Sequence, residues 1–360
     1  MTRFLQDILR QPDELMKTLV LLNSHKRNSL ESAADAIRKA RHIYVTGIGA
    51  SWNAAVGAGL IFHAGGVPVH MLEASELLQF AVIPQGSVIL ALSRSGRSIE
   101  IVKLLAKARS AGATVIGVTN FNDGPLALEA NIPVVLPVPP DNGISVSTYS
   151  TLAIGAAAIA TASVGSFDTH LVASLTSIVA ETASRIPSWQ KQLTDTLWLR
   201  PGAPYYFLAR GSSLASAFEA ALLWEEGVKS PATAMGTGPF RHGPQEAMRK
   251  GVHVAIWVDR GQMREPDLAV ARDLAYIGCS VLLIGHDLPE DAGDLVIQLP
   301  PSPPHWQFIT DIFPLQLAAN QLAQLSGEDC DSFRFASYIV QGEDGLVLNG
   351  ATTSTRAKSS

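Results

Sequence analysis

The stretch VILALSRSGRSIEIVKLLAKARSAGATVIGVTN at 88–120 sets the architecture of the chain. An apolar run of strand length, VILAL, ends in a Ser/Gly turn. A segment of helical period follows, then Gly112 and a second apolar run. Strand, turn, helix, strand is the unit of a parallel sheet covered on both faces. The same unit recurs at 254–287 as VAIWVDRGQMREPDLAVARDLAYIGCSVLLIGHD. Likewise HIYVTGIGAS at 42–51 is echoed by PYYFLARGSS at 204–213. Gly49 to Gly211 is 162 residues and Gly112 to Gly278 is 166, so the repeats keep register and the chain reads as a tandem duplication.

Working outward, residues 1–40 are expected to be helical, with Leu5, Ile8, Leu9, Leu15, Leu19 and Leu22 at helical spacing. The first copy spans 41–165. Its strands are predicted near 42–47, 67–71, 87–93, 113–119 and 133–137, with helices between them. A helical connector is expected over 166–201. The second copy spans 202–340, with four strands predicted near 204–209, 253–258, 280–285 and 295–299. Residues 341–360 read as a polar tail. The fold class is therefore α/β: two parallel sheets flanked by helices, preceded by N-terminal helices.

Composition narrows the function. With 47% apolar and 16% charged residues, the 360-residue chain is long enough for two cores. A formal charge of −5 argues against binding nucleic acid through phosphate neutralisation. Cys279 and Cys330 make neither a disulfide framework nor a zinc set, and the scattered histidines suggest no metal. No apolar stretch reaches the ~20 residues of a membrane span, and the opening residues lack a secretory pattern. A cytoplasmic setting is expected.

The chemistry concentrates at strand ends. Ligands of such sheets sit beyond the carboxyl ends of strands, where helix N-termini offer free N–H groups and roughly +0.5 of charge. The turn Ser93-Arg94-Ser95-Gly96-Arg97-Ser98 fits a phosphate there: three hydroxyls, a glycine for close approach, and two guanidinium groups. The simpler reading makes Ser98 a cap and the other serines turn formers. Gly49-Ala50-Ser51 and Ser145-Val146-Ser147-Thr148 open two more helices on the same edge, and Ser51 and Ser147 are expected to meet the ligand's hydroxyls. Gly47 and Gly49, with Glu73 later, imitate a dinucleotide fingerprint, but position 52 is Trp and the third glycine is missing. No cofactor is expected. In the second copy Asp259 and Gly261 stand where the serines were, so that copy reads as having lost its phosphate cradle.

Two groups suit proton transfer. Glu219 and Glu226, seven apart, share a helical face among Ala and Leu, and a carboxylate in apolar surroundings gains basicity. His242, between Arg241 and Gly243-Pro244, sits in a loop and suits neutral-pH acid–base work. Alternatively Glu226 pairs with Lys229 and His242 bonds only to backbone.

The motifs GIGAS (47–51), SRSGRS (93–98), SVST (145–148), ARGSS (209–213), FEAALLWEE (218–226) and RHGP (241–244) together resemble the double-SIS (sugar isomerase) family. That family includes the isomerase half of glucosamine-6-phosphate synthase and stand-alone phosphosugar isomerases and deaminases. The resemblance covers about residues 5–340 and implies two tandem, flavodoxin-like SIS domains. It assigns phosphate contacts to Ser93, Arg94, Ser95 and Ser98, and sugar contacts to Gly49, Ala50, Ser51, Ser145 and Ser147. By the same resemblance Glu226 moves a proton between C1 and C2, and His242 opens the ring from the neighbouring subunit of a homodimer. The tail DCDSFRFASYIV (329–340) adds Ser337 and Tyr338 to the site. Tyr338 stands where the synthase carries its Schiff-base lysine, Leu223 and Tyr149 replace two further family lysines, and no glutamine-hydrolysing domain is present. A phosphosugar isomerase, or a deaminase of an amino-sugar phosphate, is the activity implied; a sugar-phosphate sensor without turnover is the third possibility.

Overall fold

The computed structural model describes residues 1–335 and 338–342. The N-terminal helices are α1 (Arg3–Leu22) and α2 (Arg27–Lys39). The first sheet and its helices follow as β1 (Ile43–Thr46), α3 (Ala50–Ala64), β2 (His70–Met71), α4 (Ala74–Gln79), β3 (Val88–Leu92), α5 (Ile99–Ser110), β4 (Thr114–Thr119), α6 (Pro125–Glu129), β5 (Ile132–Val135) and α7 (Ser147–Ser163). The long α8 (Thr169–Asp195) connects to β6 (Tyr205–Ala209) and α9 (Leu214–Leu223). The second sheet continues with β7 (Ala232–Gly236), α10 (Thr237–Phe240), β8 (His253–Trp257), α11 (Arg264–Ile277), β9 (Ser280–Gly285), β10 (Leu295–Gln298) and α12 (Phe313–Leu325).

Both sheets are five-stranded and parallel, in the orders β2-β1-β3-β4-β5 and β10-β9-β8-β6-β7. Counted within each repeat this is one order, 2-1-3-4-5, so the duplication read from sequence is a duplication of topology. Order reverses at the first strand of each sheet, and the crevice for a ligand opens beyond that point. Registers such as Ile43↔Val88 and Tyr205↔His253 place the strand ends level along each edge. All five residues of β3 and of β8 are buried, as a sheet covered on both faces requires.

The second sheet has one strand more than expected. Its extra member, β7, is ATAMG, an edge strand of small residues, all half-buried. It lacks the β-branched or aromatic run by which a strand announces itself, and only pairing with β6 defines it. Beyond it lie α10 and a short 3-10 turn at Pro244–Ala247.

Helix α1 buries Phe4, Ile8, Leu15, Leu19 and Leu22 on one face, leaving Leu9 outside it. Helix α7 is buried on every side, consistent with its run of Ala, Ile and Leu. Gln11 and Gln316 exchange amide hydrogen bonds at 3.0 and 3.1 Å, and Ser150 Oγ donates to Gln11 Oε1 at 2.9 Å. These bonds tie α1, α7 and α12 inside the shared core and satisfy polar groups that burial would otherwise penalise. No helix among the described residues is long and apolar enough to cross a membrane.

Candidate active site

A cavity of about 240 Å³ opens at the carboxyl edge of the first sheet, between the turn after β3 and the end of α9. Gly49, Ala50 and Ser51 line it from the start of α3. Ser93, Arg94, Ser95 and Ser98 line it from the turn before α5, and Ser145, Glu226 and Tyr338 line it from three further segments. Five segments far apart in sequence thus meet in one place.

The serine turn builds itself. Ser93 Oγ accepts from the Gly96 N–H and Ser95 Oγ from the Arg97 N–H, each at 3.1 Å. Among the described residues neither hydroxyl has an acceptor for its own proton, so both remain donors toward the cavity. Gly96 has φ +65, which L side chains rarely adopt. Ser98 occupies the N-cap of α5 but makes no side-chain cap bond, so its hydroxyl too is available. Gly124, which the sequence reading passed over, packs beneath this turn: a Cβ there would lie 2.1 Å from the Ser95 carbonyl oxygen.

The two arginines part company. Arg94 Nη1 donates to Ser145 Oγ at 2.8 Å and Nη2 to the Tyr338 carbonyl at 2.5 Å, while its guanidinium lies 3.8 Å from the centre of the Tyr338 ring. Arg97 turns away, bonded to the carbonyl and carboxylate of Asp123 at 2.9 Å. Of the two, Arg94 alone lines the cavity. The tail also closes on the helix: the Ile99 N–H donates to the Val340 carbonyl at 3.2 Å, and Tyr338 Oη donates to the Asp141 carbonyl at 2.7 Å. Glu100, in the first turn of α5, puts an acid in the same wall.

Ser147 is not brought to the cavity. It is fully buried as the first residue of α7, with its N–H on Asp141. The Asp141 carboxylate accepts from the N–H groups of Val146, Ser147 and Thr148 at 2.8–3.1 Å and from Thr148 Oγ1 at 2.6 Å. An aspartate six residues upstream of Ser147 therefore caps this helix. Glu73, which with Gly47 and Gly49 imitates a dinucleotide fingerprint in sequence, caps α4 through the Ser75 N–H at 3.3 Å. Ser337 lies outside the described residues.

Glu226 lies on a π-helical turn, Trp224–Val228, that ends α9. Such turns place an extra residue in the helix and re-aim side chains, often at functional sites. Glu225 is exposed, whereas Glu226 faces the cavity. Burial pushes the Glu226 carboxyl up to about 7, although Arg94 and Lys229 act to lower it. Lys229 does not form the ion pair considered from sequence. In a left-handed conformation (φ 59), it donates to the Glu226 backbone carbonyl and, at 2.7 Å, to that of Ser332. Behind it Glu219 is completely buried, accepts from Asn53 Nδ2 at 2.9 Å, and is raised to about 8 by burial, with Glu226 adding to the rise. His242 is exposed in the loop after α10, its N–H on the Pro239 carbonyl at 3.0 Å, and is not among the residues lining this cavity. Tyr149 is buried with its hydroxyl unpartnered among the described residues, and burial pushes it well above its ordinary value. Among those residues, no group of three or more His, Cys, Asp or Glu could hold a metal ion.

A strand-end turn of serine hydroxyls sharing a cavity with a carboxyl group offers donors that suit a phosphate ester. Comparison with known proteins agrees with the fold. Residues 36–163 match the SIS domain. Over 310 residues the chain is 27% identical to a glutamine–fructose-6-phosphate aminotransferase (isomerizing) of Pyrococcus horikoshii, across 83% of this chain and 51% of that protein. The chain thus spans about half the length of the curated relatives it matches. The C-terminal domain of glucosamine-fructose-6-phosphate aminotransferase from Francisella tularensis superposes with TM-score 0.80 at 21% identity, covering 91% of this chain and 97% of that one. Glucosamine-6-phosphate deaminase of Thermotoga maritima superposes at 0.78 with 20% identity, covering 94% and 99%. Tagatose-6-phosphate ketose/aldose isomerase of Escherichia coli superposes at 0.78 with 19% identity, covering 92% and 94%. The SIS match lies on the first sheet, and the second shares its strand order.

Proposed function

We propose that this protein is an aldose–ketose isomerase of a hexose or hexosamine 6-phosphate, built as two tandem SIS units over 41–165 and 202–340. The observation that carries the reading is Glu226: a carboxyl held near 7 opens into the same cavity as the serine turn. The ester phosphate rests on the hydroxyls of Ser93, Ser95 and Ser98, with Arg94 as its counter-charge against Glu100. The open-chain ketose then lies with C1 and C2 toward α9. Glu226 takes the C1 proton, the electron pair forms the C1=C2 bond and passes the charge to O2 as a cis-enediolate, the O1 proton moves to O2, and as the C1 carbonyl forms the same carboxyl returns its proton to C2. The substrate's own carbonyl acidifies that proton. Remote phosphate binding lowers the barrier at the reacting carbons.

Ring opening falls to His242 of a second subunit, which makes the working form a homodimer, and a cytoplasmic location suits the substrate. Tyr338 at the position of the family lysine disfavours imine chemistry, because an imine requires an amine nucleophile. The likeness to glucosamine-6-phosphate deaminase supports a second reading, in which the same base acts on an amino-sugar phosphate and ammonia leaves.

Exchange of substrate hydrogen in deuterated water, followed by NMR with fructose, tagatose, glucosamine and galactosamine 6-phosphates, tests the reading. Deuterium should enter the C1 or C2 position with at least one of them, and Glu226→Gln should lower the rate at least ~100-fold while binding persists. Wild-type exchange in that variant would remove Glu226 from the mechanism. Binding without exchange would leave a sensor, and ammonia release would favour the deaminase.

A further inference from the structure

The larger sheet-edge cavity belongs to the other sheet. It measures about 580 Å³, within the range of small-molecule sites, and opens at the carboxyl ends of β6, β8, β9 and β10. In the repeated strand order it takes the place that the serine turn's cavity takes in the first sheet. The second repeat therefore has a cavity where its sequence reads only as the loss of a phosphate cradle.

Its chemistry differs. Asp259 Oδ2 accepts from the N–H groups of Gly261 and Met263 at 3.1 and 2.9 Å, so the loop entering α11 already holds a fixed anion. A phosphate on those amides would have to displace a carboxylate of its own sign. The nearby acceptors are consumed too. Asp267 takes Arg210 Nε at 2.7 Å and the Asp259 N–H at 3.1 Å, while Asp311 takes the hydroxyls of Ser213 and Ser216. Donors remain. Arg260 is exposed, and among the described residues it makes one hydrogen bond, Nη1 to the Ser302 carbonyl at 3.3 Å. Burial holds His286 below its ordinary value, leaving the charge to the arginines. Val258, Ile284, Leu299 and Pro304 supply an apolar wall.

We propose that this cavity binds a small organic monocarboxylate, with its carboxylate on the Arg260 guanidinium and its apolar body against Val258, Ile284 and Leu299. Guanidinium meets carboxylate in a two-point fork, which a neutral amide cannot reproduce. The site is separate from the cavity of Glu226 and does not depend on the isomerase reading.

Fluorine NMR of the full chain with 4-fluorobenzoate, 4-fluorobenzamide and 4-fluorophenyl phosphate at millimolar concentration tests it. The benzoate signal should broaden and the benzamide signal stay sharp. Arg260→Gln should weaken benzoate binding about tenfold, because it removes a charge-assisted pair, while the ligand-free melting temperature holds. Fructose 6-phosphate should not displace the probe. Equal binding of benzamide, tighter binding of the aryl phosphate, an unaffected Arg260→Gln variant, displacement by fructose 6-phosphate, or no broadening with any probe would each overturn the proposal.

Discussion

Glu219 and Glu226 stand seven residues apart, and an uninterrupted α-helix would place them on one face. The π turn and the cavity separate their fates: Glu219 is sealed against Asn53, and Glu226 opens into the cavity. If Glu226 is the base, proton exchange should rise with pH as its carboxyl ionises, with a midpoint near its raised value of about 7. A pH–rate profile of kcat/KM checks this, and a limb near the ordinary carboxylic range would contradict it. Tyr338 leads to a second expectation. Treatment with fructose 6-phosphate and borohydride should leave the protein mass unchanged, since no lysine is offered at that position. A trapped adduct in the mass spectrum would show that another amine serves.

In the proposed function the turn between β3 and α5 is the element on which binding depends, and its support comes from a neighbouring loop. A Cβ at Gly124 would meet the Ser95 carbonyl oxygen at 2.1 Å, and backbone cannot yield as a flexible side chain would. Gly124→Ala should therefore displace the serine turn, cost about 1–3 kcal/mol of stability and weaken phosphate-ester binding. Thermal melts and isothermal titration measure the two effects. Unaltered binding would show that the turn does not hold the phosphate. Ser95→Ala should keep the fold and weaken binding by roughly 10-fold, the worth of one hydrogen bond to a charged group.

Across the molecule, three buried acids shape the response to pH. Glu219 is raised to about 8, Glu226 to about 7 and Asp311 to about 6, burial being the leading cause in each. The native state binds these protons more tightly than the unfolded chain does, so stability falls as pH rises from the ordinary carboxylic range to about 8. His253 and His286, lowered by burial, act oppositely on the acid side: their cost appears as pH falls below 6.5. Glu219→Gln keeps an acceptor for Asn53 and removes the titration. It should raise the melting temperature by a few degrees at pH 8 and change it little at pH 5. An equal shift at both values would mean that Glu219 is not neutral in the native state at low pH.

Periodicity in the chain was enough to reveal the parallel α/β class, the duplicated register and the strand-end loops, because buried strands and amphipathic helices advertise themselves locally. The serine turn was legible for the same reason: its donors sit within six residues. Folding in three dimensions decided the rest. Asp141 displaced Ser147 from the site, and Arg97 was drawn to Asp123 while Arg94 was drawn to the tail. The small residues of β7 became a strand only beside β6, and His242 stayed outside the cavity. Each of those outcomes turns on competition among hydrogen-bond partners or on burial between segments distant in sequence, and no local pattern records which partner wins.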